Sequence, residues 1–261
     1  MQQVRRGFEI LKEDGVFQFL KSSAEYVAPV EYYNNTIWPL LPATSDYGTY
    51  NGVEVKGNHP MIIVNAKNQN IQHKLFDGLV PWNTPSSISN FKQPNVKQIH
   101  NNYNKGDNIV IIGGGNGVSA VHSAKAVGAD GRVQIFEGDY ERIRDLKRTL
   151  KKNNVYDMCE INHCIVGNAH FVESPGNADL IKPSKLPECD ALEMDCEGAE
   201  LNVLRDITKL PKKMIIELHH EKSYAPYSSS EEIESILVEK GFHVKKYDGP
   251  WVDGLFVAVL E

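Results

Sequence analysis

The chain has 261 residues, 41% hydrophobic and 24% charged. That composition suits one sizeable core and argues against a disordered or membrane-spanning chain. Its 28 Lys and Arg against 34 Asp and Glu leave a formal charge of −6, which argues against the broad positive field that holds nucleic-acid backbones.

The length fits one large domain, or one domain with an extension. In the first third, Gly7–Ser23 reads as an amphipathic helix with Phe8, Leu11, Phe19 and Leu20 apolar. Its mixed charges favour docking on protein over a membrane surface. Tyr50-Asn51-Gly52-Val53 is a type I′ hairpin signal between strands near Asp46–Tyr50 and Val53–Lys56. Met61–Asn65 reads as a third strand. The stretch 67–94 is rich in Asn, Gln and Pro, and Pro81-Trp82-Asn83 suits either a lid or ordinary packing. Residues 1–94 are therefore expected to be an extension over the sheet edge or the site mouth, with contact to a second copy left open. From Asn95 a helix is predicted, opened by an Asn95–Gln98 capping box, with Val96, Ile99 and Tyr103 packing on the sheet.

Asn108–Glu137 carries the first motif. An apolar strand, Ile109–Ile112, runs into Gly113, Gly114, Gly115 and Gly117. A helix from Val118 to Val127 stops at Gly128, and a second strand, Arg132–Phe136, ends at Glu137. In such a unit a ligand lies across the carboxyl ends of the strands. Glycines let the backbone approach it, and the helix start offers N–H groups. A carboxylate about 20 residues on can bind both hydroxyls of a ribose. An adenosine-containing cofactor is expected. Gly115, Gly117 and Ala120 meet the relaxed dinucleotide template, whereas Gly113, Gly115 and Gly117 meet the spaced turn of class I methyltransferases, so the turn alone does not separate the two.

Downstream, Asp139–Lys152 reads as an amphipathic helix whose basic run Arg142–Lys152 is a solvated face. Glu160–Val166 is strand-like and leads into Gly167-Asn168, 175–187 is a polar loop, and Ala191–Met194 is a short strand ending at Asp195. Glu197, Gly198, Ala199 and Glu200 open the next helix, Lys213–Leu218 is a buried strand, and Ser228–Lys240 is a capped helix closed by Gly241. Phe242–Tyr247 and Gly254–Leu260 form an antiparallel pair. The cysteines Cys159, Cys164, Cys189 and Cys196 make no C-x-x-C pair, so no metal-binding set is read from them. Met1–Ser23 lacks an uninterrupted apolar core, and a cytoplasmic protein with reduced thiols is expected.

The pattern Asp195–Glu200 (D-x-E-G-A-E), placed after the glycine turn and followed by Met214–His219 (MIIELH), resembles the FkbM-type family of S-adenosylmethionine-dependent methyltransferases over roughly Asn95 to Leu260. The resemblance implies a Rossmann-like class I α/β fold, with a seven-stranded, mostly parallel sheet and an antiparallel last strand, to which the α+β extension read in residues 1–94 is added. It also implies S-adenosylmethionine as cofactor, Asn168 near the adenine, and hydroxyls of sugars, glycans or related metabolites as acceptors. Family members usually carry an acid two places before the first glycine, where this chain has Ile111.

The strand-end positions supply the acceptor side: Asp195, Glu197, Glu217, His219 and His220. Asp195 ends a core strand beside the cleft and is expected to face both cofactor and acceptor. His219, whose ordinary pKa suits neutral pH, is the expected titratable base, with Glu217 beside it. A divalent cation held by Asp195 with Glu217 or His219 is not favoured, because no dense acidic cluster is present. The cofactor set is Gly113, Gly115, Gly117, Glu137, Asn168 and Asp195. O-methylation of a hydroxyl or carboxyl on a glycan or small metabolite leads. An NAD(P)- or FAD-dependent oxidoreductase and a non-catalytic nucleoside-binding module are the alternatives.

Overall fold

The computed structural model describes residues 47–56, 87–167, 172, 174–196, 198–218, 229–249 and 252–260. The expected Gly7–Ser23 helix, the Met61–Asn65 strand and the Pro81–Asn83 loop lie outside these residues. Residues 46–57 and 85–261 form one compact unit. Its first elements are β1 (Tyr47–Tyr50) and β2 (Val53–Lys56), an antiparallel hairpin. Asn51 and Gly52 at its tip have φ of 47 and 77, the double left-handed turn that the Asn-Gly pair predicts. β3 (Ser87–Ile88) pairs with β1 in parallel.

Helix α1 (Gln93–Asn102) begins before the predicted capping box. Pro94 occupies its first turn, where a missing N–H costs nothing and the fixed φ suits a helix. That places Asn95 inside the helix, 1% exposed, with its amide donating to Glu217 Oε2 at 3.3 Å. Asn95 is therefore a buried polar contact and not a cap.

The main sheet follows. Its elements are β4 (Asn108–Ile112), α2 (Val118–Val127), β5 (Arg132–Glu137), α3 (Tyr140–Lys152), β6 (Cys159–Val166), β7 (Asp179–Ile181), β8 (Ala191–Met194), α4 (Glu200–Asp206), β9 (Lys213–Glu217), α5 (Ser230–Glu239), β10 (Phe242–Gly249) and β11 (Val252–Leu260). The strand order is β10-β11-β9-β8-β4-β5-β6-β7. The strands from β7 to β9 are mutually parallel, and β11 runs antiparallel to both neighbours. The expected α/β sheet with its antiparallel last strand is present. It has eight strands instead of seven, because three residues of the predicted 175–187 loop form β7 on the outer edge of β6.

β4 is the hinge of the topology: the chain winds outward through β5 on one side and through β8 on the other. A crevice therefore opens at its carboxyl end. Alternation along these parallel strands sorts the faces. Val110, Ile112, Leu192, Met194, Met214 and Ile216 pack with Val203, Leu204, Ile233 and Leu237 from α4 and α5. Ile109, Ile111 and Glu193 turn to the opposite face. Asp139 caps α3 by accepting from Glu141 N at 2.8 Å and Arg142 N at 3.0 Å. Ser229 caps α5 by accepting from Glu232 N, one residue later than predicted. No helix among the described residues is long and apolar enough to cross a membrane.

Candidate functional site

The crevice begins where β4 ends. Gly113 N–H donates to Phe136 O at 2.9 Å, and Asp195 N–H donates to Ile112 O at 3.0 Å. These bonds hold the ends of β4, β5 and β8 side by side. Gly113 has φ +89, and a Cβ there would lie 1.9 Å from the Asp195 carbonyl oxygen. Only glycine fits. Gly115 has φ +48, and a Cβ on it would meet nothing within 4 Å. Its N–H donates to Glu137 Oε2 at 2.9 Å, while Glu137 Oε1 accepts from Asp139 N–H at 2.8 Å. The Glu137 carboxylate is thereby fixed at the wall of a cleft lined by Gly113, Gly115, Phe136, Arg142, Asp195 and Cys196 among others. Gly117 has a different place: a Cβ there would meet Leu146 of α3 at 2.8 Å, so this glycine lets α2 start close against α3. Asn168 lies outside the described residues.

Glu137 and Gly115 suit an adenosine cofactor. Each carboxylate oxygen has a second lone pair beyond the backbone bond it accepts, and the open space at Gly115 adjoins it.

Across the crevice, parallel pairing of β8 with β9, with Met194 opposite Ile216, puts Asp195 and Glu217 at adjacent strand ends. The Lys92 ammonium bridges them. It donates to Asp195 Oδ2 and to Glu217 Oε2, the latter at 2.8 Å, and Asn95 donates to the same Glu217 oxygen. The Lys92 and Glu217 side chains are only 18% and 8% exposed. Burial by itself would lower the Lys92 pKa. The Asp195 and Glu217 carboxylates outweigh it and hold the ammonium well above the ordinary lysine value. Lys92 precedes the first turn of α1 with φ 47, a left-handed backbone that is uncommon outside glycine. No periodicity announces it. The one available signal is the pair of strand-end carboxylates, since buried charges require a partner. His219 follows Leu218 outside the described residues, as do Glu197 and His220.

Other motif residues have structural places. Glu200 is fully buried and accepts from Gly198 N–H at 3.3 Å, which closes the turn into α4. Glu193, also fully buried, lies beside Ser123 Oγ at 3.4 Å, and its Oε1 has no partner among the described residues. Burial raises its pKa from 4.5 to about 7. Burial likewise pushes the Cys159 and Cys189 thiols up to about 12, which keeps them protonated at neutral pH. Among the described residues, no three His, Cys, Asp or Glu side chains converge as a metal site would need.

The family description "Methyltransferase FkbM domain" matches residues 160–244, from β6 into β10. The matched segment contains both Asp195–Glu200 and Met214–His219. No curated protein matches this chain. Among solved structures, an S-adenosylmethionine-dependent O-methyltransferase from Thermotoga maritima is 16% identical, with 64% of each chain covered and a TM-score of 0.47. The chain thus spans 64% of that protein's length. An O-methyltransferase from Bacillus cereus in complex with S-adenosylhomocysteine is 14% identical, over 65% of this chain and 80% of that one, with a TM-score of 0.42. The O-methyltransferase TomG from Streptomyces achromogenes, in complex with S-adenosylmethionine, is 16% identical over 79% of this chain and 91% of that one, TM-score 0.45.

Proposed function

We propose that this chain, whose residues 160–244 match the FkbM methyltransferase domain, is a methyltransferase that moves a methyl group from S-adenosylmethionine to a hydroxyl of a sugar, glycan or related small metabolite. The observation that carries the reading is the two-sided crevice. Gly113, Gly115 and Glu137 border one wall, and Asp195, bridged to Glu217 by Lys92, borders the other.

The roles follow from the chemistry. The cofactor supplies a methyl on a sulfonium centre, a good leaving group that needs no acid. The chain must place the acceptor in line, keep water out and take up the acceptor's proton. Glu137 would hold the ribose hydroxyls with the lone pairs its backbone bonds leave, Gly115 would give the ribose room, and Asn168 is the residue proposed for the adenine. Asp195 faces the methyl and orients the acceptor. Asp195 and Glu217 already accept from the Lys92 ammonium, and His219, two residues past Glu217, is the base proposed here.

Thermal shift with S-adenosylmethionine, S-adenosylhomocysteine, NAD, NADP and FAD tests the reading. The first two should raise the melting temperature and the dinucleotides should not. Preference for a dinucleotide would overturn it.

A further inference from the structure

The wall of the crevice that carries Glu137 also carries an arginine. Arg142 stands in the first turn of α3, where its N–H donates to Asp139 Oδ1 at 3.0 Å, and it lines the same cleft as Gly115 and Glu137. A cation in a first helical turn opposes the helix dipole, so the helix gains nothing from it there. Two other arginines of α3 have a carboxylate: Arg144 and Arg148 meet Asp145 at 3.6 and 3.4 Å. Arg142 is in no such pair among the described residues. The carboxylates just before it are occupied by backbone N–H groups. Glu137 accepts from Gly115 and Asp139, and Asp139 accepts from Glu141, Arg142 and Ser174. Arg142, half-buried, thus borders the cleft with an uncommitted guanidinium, in company with the apolar Phe136, Ile165, Val166 and Val172.

We propose that Arg142 holds the cofactor's adenine by its face, with the guanidinium laid against the ring. The inference rests on the S-adenosylmethionine reading of the crevice. The ribose decides which part of the cofactor comes to Arg142. Once Glu137 holds the two ring hydroxyls, C1′ and C4′ lie on opposite sides of it. C4′ carries the arm with the sulfonium, which runs to the acceptor side, where Asp195 follows β8. C1′ carries the base, which runs the other way. The strands lie in the order β8-β4-β5-β6, so the other way from Glu137, at the end of β5, is toward β6 and the start of α3. A flat purine entering there meets apolar side chains and one cation. A planar, weakly hydrated guanidinium stacks on aromatic faces. The cofactor's one anionic group, its amino-acid carboxylate, is at the end of the opposite arm, so charge pairing is not what brings the two together. No motif marks Arg142, because it stands in a basic run that reads as a solvated helix face.

The test is titration calorimetry with S-adenosylhomocysteine and with 5′-methylthioadenosine, which keeps the base and the ribose and lacks the amino-acid arm. Arg142→Ala should weaken both ligands alike, by roughly tenfold. Arg142→Lys keeps the charge and loses the plane, so it should recover little of that loss. It gives the same readout if Arg142→Ala folds poorly. The melting temperatures of the unliganded variants should stay parental, a result that a merely structural arginine would not give. Parental affinity of both variants for 5′-methylthioadenosine would overturn the proposal. A loss confined to S-adenosylhomocysteine would overturn it as well, because the guanidinium would then serve the carboxylate. In both cases the parent still binds S-adenosylhomocysteine and the methyltransferase reading stands. A parent that binds neither ligand removes that reading, and this proposal with it.

Discussion

Ile111 and Glu193 are register partners on the parallel strands β4 and β8, and both are fully buried. The strand position two places before Gly113 is thus apolar, and a carboxyl group sits on the same face one strand away. Burying Ile111 contributes about 1.5–3 kcal/mol. Glu193 has the opposite effect once it ionises. Its carboxyl loses its proton near 4.5 in the unfolded chain and near 7 in the folded one. The unfolded chain therefore sheds the proton first as pH rises. The stability tied to this group is complete below about 4.5 and is lost as pH climbs through about 7.

Glu193→Gln keeps the shape and cannot ionise. It should match the parent in acid and exceed it above neutrality, by on the order of 3 kcal/mol at most. Urea melts at both ends of that range check it. Parallel stability curves for parent and variant would show that the buried carboxyl does not titrate as described.

A second pH effect lies at the hairpin. His122 Nε2 meets the Asn51 carbonyl oxygen at 3.1 Å and so carries the proton, which leaves Nδ1 to accept from His100 Nε2, also at 3.1 Å. Burial, with the charges of His100 and Lys125 adding to it, lowers the His122 pKa from 6.5 to about 4 despite the Asn51 bond. The stability this neutral ring contributes is whole above about 6.5 and is lost as pH falls through about 4. His122→Gln, which cannot charge, should flatten the loss of stability between those values. An unchanged slope would contradict the assignment.

The sequence announces what local chemistry decides. The Asn51-Gly52 turn, the glycine-rich end of β4 and the carboxylates closing β5, β8 and β9 are all legible because each depends on neighbours a few residues away. Lys92 is not legible: its partners lie more than a hundred residues on, and it sits in a stretch that composition assigns to a polar extension. The three exposed or half-exposed residues of β7 are too few to show an alternation. Asn95 looks like a cap because caps favour its residue type, yet Pro94 starts the helix earlier and turns the amide inward. Gly117 matches a cofactor template, and its lack of a side chain also lets α2 pack close against α3.

On the acceptor side, Asp195→Asn and His219→Ala should leave S-adenosylhomocysteine affinity near parental. Methyl transfer to the true acceptor should fall by roughly two orders of magnitude where general-base help is removed. A chelator should not slow the parent, since Lys92 already bridges Asp195 and Glu217. Parental turnover in both variants would move the acceptor contacts elsewhere, and collapse with the chelator would show that a metal ion takes part.

The central claim is that Glu137, held by Gly115 and Asp139 at the wall of the crevice, binds the ribose of an adenosine cofactor. Titration calorimetry of S-adenosylhomocysteine into the parent and into Glu137→Ala measures it most directly. Charge-assisted hydrogen bonds are worth about 1.5–3 kcal/mol each, so the variant should bind at least about tenfold more weakly while its circular dichroism stays native. Equal affinity in the two proteins would show that the cofactor, if bound at all, is not held where this crevice places it.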